Sequence, residues 1–202
     1  MLSERVGEVI ESRTTAFVAQ CYRLHEPPPL GSLVKVKGGH TEVFAVVSDV
    51  STTPIQPGRR PVARGMEESN QEEIFNHNPQ LEKLLRTIFQ AQIVGFTPVE
   101  EGSGKGRRVF QHLPPQPPRI HAFVHQCDRD EAVGFASSVE FLNILVRADA
   151  PARDEVILAC LNSLGTGLED GHQLMVKAGK ELSQLLAGEP QRLNVILKGL
   201  RR

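Results

Sequence analysis

The sequence predicts an α+β protein, with a small antiparallel β-barrel at the N-terminus followed by a C-terminal helical domain. Three observations predict it. Four short segments with strand patterning fall within the first fifty residues, at a spacing near ten. Clusters of proline and glycine punctuate them, as turns between short strands require. From about Cys127 onward, apolar residues recur instead at the three- and four-residue spacing of helices. We place the barrel at residues 1–127, with inserted short helices and an arginine-rich loop, and the helical domain at 128–202.

In the barrel half, "RVGEVIE" alternates around Val6, Val9 and Ile10, and "TTAFVAQCYRL" is rich in β-branched and aromatic residues. "HEPPPLGS" cannot continue a ladder. "LVKVK" then sets Val34 and Val36 against Lys35 and Lys37, and "GGH" turns the chain into "TEVFAVVSDV". Residues 51–68 form a proline- and arginine-containing excursion. Ser69 and Glu72 have the spacing of a capping box, and Pro79 breaks the short helix they start. "IFQAQIVGFTPV" returns to strand, "RRVFQHL" resumes it, and the proline-rich 114–118 is a stiff connector. "RIHAFVHQC" is the last strand, with His121, Phe123, His125 and Cys127 at period two.

In the helical half, Ser137 precedes Glu140 at capping-box spacing. "DEVILACLNSLG" places Ile157, Cys160, Leu161 and Leu164 on one face and ends at Gly165. The next segment gathers Leu174, Ala178, Leu182 and Leu185. The last begins with Pro190 in its first turn, carries Leu193, Ile196, Leu197 and Leu200 on one stripe, and closes in two arginines.

Lysine plus arginine is 23 and aspartate plus glutamate 24, a formal net charge of -1. That balance argues against a protein whose main task is gripping nucleic acid. Tryptophan is absent and aromatics make up 5%, a poor basis for base stacking. Three widely spaced cysteines, Cys21, Cys127 and Cys160, fit reduced thiols in a reducing compartment. The N-terminal segment lacks the apolar core of a signal peptide, and no apolar run reaches membrane-spanning length, so the expected location is cytoplasmic without membrane insertion.

The run "EEGSGKGRRV" (100–109) has the look of a phosphate-binding loop. Such a loop needs Gly-x-x-x-x-Gly-Lys-Ser/Thr between a strand and a helix, because loop amides cradle phosphate and the hydroxyl holds magnesium. Here Val99 stands where the first glycine belongs and Gly106 where the hydroxyl belongs. Strand-like and proline-rich sequence follows in place of a helix. The run reads as a hairpin tip, with Lys105, Arg107 and Arg108 as a small positive surface.

Other chemistry is sparse. His121, His125 and Cys127 would share one strand face and suit zinc, yet Phe123 lies between them and no fourth ligand is evident. Half-buried strand residues account for them better, and neither metal nor cofactor is expected. No nucleophile elbow exists, and Cys21 and Cys160 sit in apolar contexts. "PGRRPVARG", with Arg59, Arg60 and Arg64, is the best candidate for a charged contact surface, and Leu193 and Leu197 of the last helix for an apolar one.

"RVGEVIESRTTAFVAQCYR", "PPLGSLVKVK" and "EVFAVVSDVSTT" together resemble the HAS barrel, the N-terminal barrel shared by HerA-type DNA-translocating ATPases and the ATP synthase α and β subunits. The carrying features are Val-Gly-x-Val, the Thr-Thr step, Leu-Gly-x-x-Val-x-Val, and a valine-rich strand ending in Asp49 and Val50. "QAQIVGF" and "LPPQPPRIHAFV" look like the closing strands of the HerA version, so the likeness covers roughly 4–127. The resemblance implies an assembly role, since in these relatives the barrel crowns a hexameric ring and, in HerA, helps dock a nuclease. It departs where the ATPases continue into a motor domain with a true P-loop. The expectation is therefore a non-catalytic protein-binding adaptor, acting with a larger ATPase or another multi-subunit complex, with homo-oligomerisation open. The alternative is a nucleic-acid accessory factor using Arg59, Arg60, Arg64, Lys105, Arg107 and Arg108.

Overall fold

A computed structural model describes residues 4–38, 40–56, 58, 60–99, 108–150, 152–167 and 170–200. β1 (Arg5–Ser12) and β2 (Ala16–Cys21) form the first hairpin. β3 (Leu33–Gly38) and β4 (Thr41–Pro54) form the second, β5 (Leu85–Pro98) pairs with both β2 and β4, and β6 (Phe123–Gln126) bridges β1 and β3. The result is a closed antiparallel barrel in the order β1-β2-β5-β4-β3-β6. Closure pairs every edge strand, which removes the exposed edges of an open sheet. Register shifts at Val9/Glu11, Phe44/Ala45 and Val47/Asp49 supply local curvature.

Alternation within the strands sorts side chains into two cores. Val9, Phe17, Ala19, Val34, Val36, Val43, Ala45, Val47, Phe89, Ala91, Ile93 and Val124 fill the barrel. Leu33, Phe44, Val46 and Val94 point outward into a second core, shared with the helices. This is why "EVFAVV" reads as a continuous apolar run: β4 is buried on both faces.

A group of helices follows β6. They are α3 (Arg129–Phe135), α4 (Leu142–Arg147), α5 (Arg153–Gly167), α6 (Gly171–Leu185) and α7 (Pro190–Gly199). Buried Ile157, Cys160, Leu161 and Leu164 lie on α5, and buried Leu174, Ala178 and Leu182 on α6, the faces the spacing predicts. Phe135 packs against Phe44 of β4 and Phe141, with ring centroids 5.5 and 5.1 Å apart. Gly31 marks the closest approach. Its φ is +77°, and a Cβ there would lie 2.4 Å from the Cys160 backbone nitrogen of α5. Lys35, outward-facing on β3 and buried, is ion-paired with Glu131 of α3.

Several local expectations shift. The capping residue of α1 (Gln71–His77) is Asn70, whose side chain accepts from the Glu72 and Glu73 amides; Glu73, not Glu72, reaches back to the Ser69 amide. The capping box of the helical half belongs to Asp128 and Glu131, which start α3, whereas Ser137 starts no helix and α4 lacks a side-chain cap. α5 runs past Gly165 to Gly167. Among the described residues of "RRVFQHL", 108–113, only Phe110 pairs in a bridge, exchanging 2.9 Å hydrogen bonds with Phe96. Gln111 instead anchors this stretch. Its Nε2 donates to the Phe135 and Ser138 carbonyls at 2.7 and 3.0 Å, and its Oε1 accepts from the Phe141 amide at 3.1 Å.

Candidate interaction site

β4 continues three residues beyond Ser51, to Pro54, and the Ile55 amide then donates to the Leu84 carbonyl at 2.9 Å. That bond closes the base of an excursion comprising the 55–70 arm, α1 and the short α2 (Leu81–Leu84), which returns the chain to β5. Beyond the cap at Ser69 and Asn70, the arm folds back on α1 and its C-cap. A Cβ on Gly65 would sit 2.7 Å from Ile74 Cδ1, so the chain passes tightly there. Arg64 Nη1 donates to Asn78 Oδ1 at 3.1 Å, and Glu68 Oε1 lies 2.9 Å from His77 Nδ1. The hydrogen bond and charge of Glu68 raise the pKa of His77 above its ordinary value. This clip is therefore strongest below pH about 6.5 and relaxes as pH rises through the His77 pKa.

Between the arm and α2 lies a cleft of about 190 Å³. Pro54, Ile55, Pro61, Val62, Leu81, Leu84 and Leu85 give it apolar walls, and Arg60, Arg64 and Lys83 give it cations. Among the described residues no carboxylate is ion-paired with any of these three. The two most exposed large apolar side chains among the described residues, Met66 at 99% and Val62 at 77%, belong to the arm, and Ile55 at its base is 46% exposed. Grouped exposure of this kind marks contact surfaces, whereas scattered apolar residues do not.

The predicted site residues fall in three places. Arg60 and Arg64 join in the cleft, together with Lys83, which the sequence reading did not single out. Arg108 lies at the other end of β5: Thr97 Oγ1 donates to its carbonyl at 3.3 Å, and its guanidinium is 5.1 Å from the Phe110 ring centroid. Twelve residues of strand separate Leu85 from Thr97, roughly 40 Å at ~3.3 Å per residue. Arg59, Lys105 and Arg107 lie outside the described residues, as does the glycine run itself. Leu193 and Leu197 of α7 are half-buried, with Leu193 packed on the helical core, while Val195 is the exposed apolar residue of that helix.

The histidine–cysteine set does not converge. His121 precedes β6 with φ +67° and contacts Glu8, and no metal-ligating cluster occurs among the described residues. His125 is half-buried beside Arg5, Lys35 and Lys37. Burial, then these charges, lowers its pKa. Burial pushes the Cys160 thiol up to about 12 and Cys21 to about 11, and raises Cys127 as well, the opposite of an activated nucleophile. No helix among the described residues is long and apolar enough to cross a membrane. The chain matches no family model, and a search of curated proteins gave no match.

Proposed function

We propose that this chain is a non-catalytic protein-binding adaptor. Its HAS-like barrel serves as the rigid base, and the arm cleft receives an acidic segment of a partner protein bearing an apolar side chain. The observation that carries the reading is the pairing of exposed Ile55, Val62 and Leu84 with Arg60, Arg64 and Lys83 around one cleft. An apolar slot rimmed by cations that have no carboxylate partner among the described residues favours an acidic, amphipathic ligand. The reading as a non-enzyme rests on the absent P-loop pattern in "EEGSGKGRRV" and on thiols that burial keeps protonated. The element order, a barrel followed by helices, is in keeping with the HAS resemblance and with an ATPase ring or other multi-subunit complex as the larger assembly. A nucleic-acid accessory role is less well supported, since Arg60 and Arg64 stand at the opposite end of β5 from Arg108.

The test is affinity purification of the tagged full chain from its native cell, with and without nuclease. Wild type is compared with an Arg60→Glu/Arg64→Glu variant. The reading expects a nuclease-resistant partner that the charge reversal releases. A partner retained by that variant, or ATP hydrolysis well above a Lys105→Ala control, would overturn it.

A further inference from the structure

A second, separate recess lies where the barrel wall meets the helical layer. It has a volume of about 520 Å³, within the usual range for small-molecule sites, and such sites favour junctions between structural layers. A smaller recess of about 80 Å³, which shares Arg13, Ala16 and Gln90 with it and is lined also by Glu11, adjoins it. Four parts of the chain build the main recess: the β1–β2 turn, the outer face of β5, the connector at Leu113, and α4 with the two residues that follow it.

The lining has a definite chemistry. Arg13 comes from the turn and Arg147 from the last turn of α4, and no carboxylate is ion-paired with either among the described residues. Asp149 is the single carboxylate of the main recess, giving a net charge of +1 from two arginines and one aspartate. Gln92 is fixed, because its Nε2 donates to the Thr15 carbonyl at 2.6 Å, and its Oε1 remains as an acceptor. The same carbonyl accepts the Ile93 amide at 2.8 Å, so the turn carrying Arg13 is pinned to β5 at two points. Asn143 also lines the recess, and its Oδ1 is shielded from water with no hydrogen-bond partner among the described residues. An unmet buried acceptor costs about 1–3 kcal/mol, and the terminal torsion of asparagine is broad, so a donor arriving in the groove gives this amide a reason to turn toward it.

We propose that this groove binds a small amino-dicarboxylate, the acidic amino acids being the simplest members of the class. The match is group by group. Arg13 and Arg147 supply charge-assisted hydrogen bonds to two carboxylates, while Asp149, Asn143 and Gln92 supply acceptors for one ammonium. The ligand's net charge of about −1 offsets the +1 of the main recess, while Glu11 lines only the adjoining one. The site is independent of the arm cleft and does not rest on the adaptor reading.

The experiment is a titration of the isotope-labelled full chain with L-glutamate, followed by amide chemical shifts. Glutarate, which lacks the ammonium, and L-glutamine, which lacks the second carboxylate, serve as comparisons. The expected result is saturable shifts at Thr15, Gln90, Gln92 and Asn143, with each comparison compound binding about tenfold more weakly, as the loss of one charge-assisted contact implies. Arg147→Gln, at an exposed position, should weaken glutamate by a similar factor and leave the thermal midpoint unchanged. Absence of saturable shifts up to about 10 mM, the weakest affinity of functional interest, would overturn the proposal. So would equal binding of glutarate and glutamate, which would mark only a generic anion contact of exposed arginines.

Discussion

The face of the barrel that meets the helices and the arm that leaves the barrel differ in what surrounds their apolar residues. Phe44, Val46 and Val94 project from the barrel into a layer that buries them, at 5%, 0% and 0% exposure. Val62 and Met66 project from the arm into solvent, although they are as apolar as anything in the core. The first arrangement is self-sufficient, because each side chain is matched by helical residues of the same chain. The second is incomplete on its own. The barrel–helix interface therefore carries stability, the arm carries the contact proposed above, and substitutions in the two regions should behave oppositely.

The largest effect is expected at Phe135, fully buried between Phe44 and Phe141. Phe135→Ala should lower unfolding stability by about 3–5 kcal/mol in chemical denaturation, as large-to-small changes of this kind do. Gly31→Ala comes next. A Cβ would press on the α5 backbone at a φ that disfavours any side chain, and a loss of about 2–4 kcal/mol is expected in the same assay. Gln111→Ala leaves the buried Phe141 amide without its acceptor and should cost about 1–3 kcal/mol, visible also as faster hydrogen exchange at that amide.

A smaller effect concerns pH. The His125 pKa is lowered in the folded chain by burial and by nearby Arg5, Lys35 and Lys37. The unfolded chain therefore takes up this proton first, and stability should fall as pH drops through about 6.5 toward the folded value. Thermal midpoints measured between pH 7 and 5 should decline less steeply in His125→Gln than in wild type. The smallest effect on stability belongs to the arm. Val62→Ser and Met66→Ser should change it by less than about 0.5 kcal/mol, since neither side chain loses a buried neighbour.

The barrel strands were legible because their pattern is local: Val34 and Val36 alternate with Lys35 and Lys37, and β3 follows that alternation. Lys35 nonetheless becomes buried, because its partner Glu131 arrives from a helix about a hundred residues later, which no window on the sequence contains. Helix starts were displaced for a related reason. Ser69 and Ser137 have capping-box spacing, but Asn70 and Asp128 do the capping, and spacing alone cannot choose between neighbouring polar residues. The candidate site was half visible. The arginines of the arm stand out in sequence, whereas Lys83 and Leu84 join them only because α2 folds back beside Ile55. Arg60 and Arg64 share the nucleic-acid alternative with Arg108, but the length of β5 holds them apart from it.

The most direct test of the contrast is site-specific photo-crosslinking in the native cell, with the crosslinking side chain placed at Val62 in one protein and at Val195 in another. Both positions are exposed and apolar, at 77% and 60%, but only the first belongs to the arm cleft. The account predicts one discrete, nuclease-resistant protein adduct from position 62 and none from position 195. Adducts of equal yield from both positions, or none from position 62, would contradict it.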